Sequence, residues 1–491
     1  IDADEHAGIF DIDDGSATTD SPVVISGLGL TRGVTITNGG AIFSAESLTL
    51  KQCVILDSLA ESNGGAVAVK ALNTPGSTVK IIDCDIAFSS VSSSNHLDYG
   101  GGLALFANKS VTISGSRIEG NRADYGGGVY AVVGSSGAGV TISGTTFAGN
   151  SGEFGGGVLV GDPNTATSST VEAIGSTFRQ NSASNEGGGI FAGKGNFLIE
   201  KTSLLDNSAA NAGGGFFGKA FSLFSVMAAT VSGNLVTTDQ RGAFGSGSGG
   251  EGGAGLYVSA PGSAAPVTIS SSKITGNGSV GIGGGMTAAF NVNVKVTSSN
   301  IEDNFSGGGG GICLSIPTSG GPSLTVSGGD ISDNVVLDGE QGGGILTFGA
   351  QGNGTIVIKH VDIIGNFAAR GAGVQAALAS SVTIIDSKIS GNIASFIKSG
   401  ADFLSYGGGL DLGDGPNTTS STISGSTISG NFALEGGGLL LAGGTAVFTH
   451  SKIINNVAAF DGGAIFEESD PSVTIDGTDV IAGNLAATNA N

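Results

Sequence analysis

Apolar residues recur along this chain in short alternating runs and never at sustained helical spacing. "VTIS" occurs at Val111, Val140 and Val267, and a similar β-branched unit recurs between these points and beyond. Such alternation of β-branched and polar residues predicts short, half-buried strands. No segment keeps a 3.6-residue period. Two further sets of apolar positions repeat in phase with these units. Ile118, Phe147, Phe178, Ile274, Ile301 and Ile331 each stand three residues before an asparagine. Val129, Val158, Ile190, Phe216, Ile312, Ile345 and Leu439 each follow a glycine cluster. Both sets are expected to point inward and to stack.

The asparagines that close the repeat are Asn121, Asn150, Asn181, Asn207, Asn234, Asn277, Asn304, Asn334, Asn366, Asn392, Asn431, Asn456 and Asn484. Most steps between them are 25 to 32 residues, and two are longer. A unit of this size with three short strands cannot bury its apolar face alone and must stack on its neighbours. The expected fold is all-β: a right-handed, single-stranded parallel β-helix of about fifteen coils, forming a rod of roughly 70 Å. Residues 1–38 read as a partial N-terminal coil and residues 39–491 as one continuous solenoid. In this reading each asparagine adopts the left-handed backbone conformation at a sharp corner. Its amide also bonds from coil to coil. Glycine clusters, which run from Gly39 to Gly462, allow a second corner and close backbone approach. Three long connections, Ser90–Tyr99, Leu235–Glu251 and Ile393–Tyr406, should emerge from one edge.

Composition narrows the picture further. Of 491 residues 91 are glycine, but only 9 are proline and no third-residue glycine period exists, which excludes collagen. Hydrophobic residues at 39% are spread evenly, which argues against disorder. The net charge of −22 disfavours nucleic acid and anionic lipid surfaces, and suits an acidic surface that attracts cations. Three cysteines do not make a disulfide scaffold. Cys53 and Cys84 lie at matching points of successive repeats, where stacked free thiols are favoured over a disulfide. No apolar run reaches the roughly 18 residues of a membrane helix, and no direct membrane span is expected. The chain begins at Ile1 and reads as a processed chain or a fragment.

With these motifs in view, the sequence resembles the polymorphic outer-membrane protein repeats first described in Chlamydia, marked by paired GGA(I/L/V) and FxxN tetrapeptides. GGAI stands at Gly39–Ile42 and Gly462–Ile465, and GGAV at Gly64–Val67. FxxN stands at Phe147–Asn150 and Phe178–Asn181; elsewhere the pattern relaxes to GGG-apolar and I-x-x-N. The resemblance spans roughly residues 28–485. It implies secretion, β-helical passengers and adhesion.

Parallel β-helices also host polysaccharide lyases and hydrolases, which gather acids on adjacent coils. The position four before the ladder asparagine reads Lys273, Asn300, Asp330, Asp362 and Lys388. Asp330 and Asp362 should stand about 5 Å apart, a spacing that suits paired-carboxylate chemistry or a cation. A mixed-charge solvated face is the plainer reading. One residue past the inward valine column lie Tyr130, Leu159, Phe191, Phe217 and Tyr257. Strict alternation points them outward as a docking or sugar-stacking stripe; the alternative, which is favoured, is that loops cover them or that they stack on one another and fill the corner. His6, His96, His360 and His450 are scattered, without zinc-ligand spacing. The glycine runs lack the lysine and helix of a phosphate loop. Sequons outside the ladder, at Asn108, Asn353 and Asn417, are glycosylation candidates.

The expected function is therefore a secreted or cell-surface structural or adhesive rod. With no helical cap visible at either end, it is expected to assemble laterally or end to end into filaments. Its partners would be itself, other surface proteins or glycans. The competing readings are a carbohydrate- or cation-binding module and a polysaccharide-degrading enzyme. No catalytic residue, metal site or cofactor is expected beyond a surface cation such as calcium.

Overall fold

A computed structural model describes residues 1–16, 18–92, 98–135, 138–161, 169–238, 252–316, 323–337, 340–349, 354–376, 379–395, 405–413, 419–468 and 471–487. Among these residues every regular element is a strand. The chain divides into two compact units, Ile1–Thr237 and Thr238–Asn491, and each is a stack of coils with parallel pairing throughout.

One coil of the first unit illustrates the plan. A strand follows the glycines (Val129–Val133). The VTIS strand comes next (Gly139–Ser143), then a three-residue strand (Thr146–Ala148), and finally a strand after the asparagine (Ser151–Phe154). Each pairs in register with its counterpart one coil on, so that Val129 meets Val158, Val140 meets Val171 and Phe147 meets Phe178. Eight of the three-residue strands stack in each unit. Residues 10–35 already supply one strand of each kind, paired to the coil that follows.

Both expected inward columns are buried. Phe147 and Phe178 are stacked face to face with ring centres 4.6 Å apart, and Val129, Ile312 and Leu439 have no exposed surface. Between the inward columns run two polar columns that are also buried. The first is the asparagine ladder. The Asn150 amide nitrogen donates to the Asn181 Oδ1 (2.9 Å) and to the Ile118 carbonyl (2.9 Å). Its own Oδ1 accepts from the backbone N–H and Nδ2 of Asn121. All four capacities of the amide are thus filled, which only a side chain carrying both donor and acceptor can do. The same pattern runs from Asn121 to Asn234 in the first unit and from Asn277 to Asn484 in the second.

The left-handed residue, however, is not the asparagine. Gly120, Gly149, Gln180, Asp206, Asp333 and Gly430 have φ between 53° and 64°, and each immediately precedes a ladder asparagine, none of which is itself left-handed. The corner is turned one residue earlier, and the asparagine is selected for its amide.

The second polar column was not anticipated. Five residues before most ladder asparagines stands Ser or Thr: Ser116, Thr145, Ser176, Thr202, Ser272, Ser299, Ser387, Ser426 and Ser451. Each hydroxyl donates to the carbonyl two residues back, as Ser176 does to Ile174 (3.1 Å), and most accept the N–H of the preceding coil, as Ser176 does from Thr145 (3.2 Å). Cys53 and Cys84 are buried free thiols in this same column; the Cys84 thiol points to the Ile82 carbonyl as a serine would. Burial pushes the Cys84 thiol up to about 11, against a lowering backbone hydrogen bond at Cys53. Where the coil carries these cysteines, Ser58 and Ser89 stand in for the ladder asparagine, and the Ser89 N–H feeds the Asn121 Oδ1 (2.9 Å).

At the other corner the first glycine of each triplet is left-handed, as at Gly126 (φ 69°). A Cβ on the second, Gly127, would lie 2.2 Å from the Ser151 carbonyl oxygen of the next coil. The third lies against the ladder: a Cβ at Gly128 would come within 3.1 Å of the Asn150 amide carbon. Alanine takes third place at Ala41 and Ala66, ahead of the coils where the ladder residue is serine, and at Ala464, ahead of the half-buried Asn484.

Candidate functional site

The sequence-selected carboxylates are brought together. Asp330 pairs in register with Asp362, and Asp362 in turn with Lys388. Burial first, then the charges of Asp362 and Glu302, hold the Asp330 carboxyl above its usual range. The flanking positions carry compensating contacts: Lys273 meets Glu302 at 3.3 Å, and the Asn300 amide donates to Glu302 (2.9 Å). The column is a chequered, largely solvated strand face.

The aromatic column follows the second of its two readings, covered and stacked rather than exposed as a docking stripe. Tyr130, Leu159, Phe191, Phe217 and Tyr257 are all at least 96% buried. The segment that leads into each glycine triplet folds back over them: the Tyr99 ring lies 4.7 Å from Tyr130, and Phe154 meets Phe191 edge-on at 5.8 Å. Phe191 stacks on Phe217 at 4.9 Å. Glycines leave room at this corner, and the rings fill it, so alternation along the strand does not decide exposure there. Farther along the second unit Ile282, Cys313 and Leu346 fill the same corner as an apolar cluster, and polar groups take it over beyond them. Arg370 reaches the buried Asp411 carboxylate (3.2 Å) and lies over the Tyr406 ring, and Gln375 donates to Gln341 (2.5 Å).

Asn108 is half-buried, and its amide is committed to the Leu72 carbonyl (3.2 Å) and the Gly76 N–H (3.1 Å). Asn353 and Asn417 lie outside the described residues, as does half or more of each long connection. The ladder sequons Asn277 and Asn304 are buried, as expected.

The surface with the strongest character was missed by the sequence reading. It is the residue directly after each ladder asparagine, which faces outward because the amide before it faces in. In the second unit this column reads Phe305, Val335, Phe367, Ile393, Phe432, Val457 and Leu485, paired in register from one coil to the next. Phe305 and Ile393 are 41% and 43% exposed. The column begins where the Phe305 ring lies over Gly278, in the space that a side chain at Gly278 would take. In the first unit the same column reads Val34, Leu59, Ser90, Arg122, Ser151, Ser182, Ser208 and Leu235, apolar at both ends and polar from Ser90 to Ser208. There it borders an open cleft of about 390 Å³ lined by Arg122, Asp124, Ser151, Glu153, Ser182 and Ser184. The signal was available: each asparagine could have been read together with its successor.

Comparison with protein-family models, curated proteins and solved structures gives no match to this chain, so the repeat architecture and its asparagine ladders are what place it among parallel β-helix repeat proteins.

Proposed function

We propose that the protein is a secreted or cell-surface structural and adhesive scaffold, a right-handed β-helix of the polymorphic outer-membrane repeat kind. Its contact face is the apolar column of the second unit. The hand follows from the strong right-handed preference of parallel β-crossovers. The observation that carries the reading is that column: seven apolar side chains in one register, outward of a fully bonded ladder. Contiguous exposed apolar surface marks a place where another surface binds. The partner is a protein surface, including a second copy in lateral assembly. The acidic net charge of −22 weighs against nucleic acid.

The test uses beads coated with the full chain, wild type or carrying Phe305→Ser, Ile393→Ser and Phe432→Ser together. Adhesion to cells and bead–bead clustering should fall at least tenfold in the triple variant while its circular dichroism is unchanged. Unchanged adhesion, or release of reducing or unsaturated sugars from polyuronates by wild type, defeats the proposal. In the latter case Asp330→Asn identifies whether the carboxylate column is responsible.

A second reading is favoured by the cleft of the first unit. Its mixed lining of one guanidinium, two carboxylates and several hydroxyls suits a polar chain such as an oligosaccharide. Glycan-array binding that is lost in Arg122→Ala would support it.

A further inference from the structure

Three carboxylates of the first unit converge at loops unrelated to either surface above. The strand Phe10–Ile12 pairs with Ile42–Ser44, so the loops that follow them are stacked, and the Ala45 N–H donates to the Ile12 carbonyl (2.8 Å). This stacking sets Asp13 and Asp14 of one coil beside Glu46 of the next, with one oxygen from each within 4.8 Å of the others. Glu46 is 1% exposed. Its Oε2 accepts the Ser21 N–H (2.9 Å), but its Oε1 is buried with no hydrogen-bond partner. Among the described residues no Lys, Arg or His forms an ion pair with any of the three.

A buried carboxylate oxygen without donor or counter-charge is a strongly unfavourable arrangement on its own. Two neighbouring carboxylates make it worse unless a cation sits between them. The two aspartates are also held in place from outside the cluster. Asp13 accepts the Gly15 N–H (2.8 Å), and Asp14 accepts the Ser16 N–H (2.7 Å) and the Ser21 hydroxyl (2.6 Å). These bonds, that from Ser21 foremost, hold the Asp14 carboxyl below its usual range. The donor set is all oxygen. Calcium takes oxygens at about 2.4 Å, so that opposed ligands lie about 4.8 Å apart, and it tolerates irregular loops; magnesium demands a tighter octahedron.

We infer that Asp13, Asp14 and Glu46 form a calcium site that clamps Asp13 and Asp14 to the next coil. Its affinity belongs with extracellular modules, in the range of about 10⁻⁴ to 10⁻³ M.

The experiment is calorimetric titration of the full chain with calcium chloride alone, alongside thermal melts with and without chelator. Glu46→Gln keeps an acceptor for Ser21 and removes the buried charge; Asp13→Asn, at an exposed position, is the second variant. Wild type should show a saturable site whose affinity drops at least tenfold in both variants, and calcium should raise the melting midpoint of wild type alone. The proposal is overturned if wild type and Glu46→Gln bind calcium equally. It is equally overturned if calcium has no effect and acidification alone stabilises wild type over Glu46→Gln, since Asp14 and Glu46 would then share a proton.

Discussion

From Arg122 to Ser208 the column after the ladder asparagine is arginine and serine in the first unit, whereas from Phe305 on it is phenylalanine, isoleucine and valine in the second. Along these coils the support beneath it is the same. The asparagine amides bond identically, the three-residue strand before them buries its central apolar residue, and the left-handed residue sits at the same place. Two surfaces of opposite chemistry therefore stand on one support. The six-residue segment from the hydroxyl column to the amide column fixes the backbone, and the next side chain, pointing to solvent, is left to specify contact. The glycine corner repeats the lesson, filled by rings from Tyr130 to Phe217, by Ile282, Cys313 and Leu346 farther on, and by Arg370, Asp411 and Gln375 beyond them.

If the support is common, damaging it should hurt both units alike. Asn181→Ala and Asn366→Ala each strand a backbone N–H, a neighbouring amide nitrogen and a carbonyl in the interior. Each should cost about 3 to 5 kcal/mol in chemical denaturation. A large difference between the two would break the comparison at its base. Gly127→Ala should approach this, by about 3 kcal/mol, because its Cβ meets the backbone of the next coil at 2.2 Å. Gly149→Ala has open space and only the left-handed strain, and should cost about 1 kcal/mol; Gln180 already occupies the equivalent place.

The outward column should behave in the opposite way. Ile393→Ser should alter the denaturation midpoint by less than about 1 kcal/mol while lowering binding of a hydrophobic dye. Ser151→Ile and Ser182→Val should transfer dye binding to the first unit. The smallest effect concerns charge. The Asp330 carboxyl is raised, so the folded protein holds its proton more tightly than the unfolded chain does. Stability then falls as pH climbs from the ordinary carboxylate value through the raised one. Asp330→Asn should give a slight rise in melting midpoint at neutral pH and none at acidic pH, where the wild-type group is already protonated.

Much of this was legible before any coordinates. The recurrence of asparagine, glycine triplets and VTIS at one spacing demands stacking, because no repeat can bury its own apolar face. Register followed, since like residues had to meet, as Asp330 and Asp362 do. The inward columns followed from alternation. What failed, failed at corners. Alternation along Val129–Val133 assigned Tyr130 to solvent, but Tyr99, from the segment before the glycines, lies over it. The left-handed turn was assigned to asparagine on its local tolerance, whereas the neighbouring coils claim the amide and shift the turn to Gly149 or Gln180. The hydroxyl column hid because serine is common everywhere, and the thiols in it were read only as a pair.

The sequence by itself determined the coil, because a repeated pattern of apolar and amide side chains has one economical way to satisfy itself. Tertiary structure alone decided which side chains face out at each corner. It also decided which distant acids meet, as Asp14 and Glu46 do. The physical reason is that side-chain direction alternates predictably only along a strand. At a bend it is reset by whichever neighbouring coil supplies the hydrogen bond or fills the space.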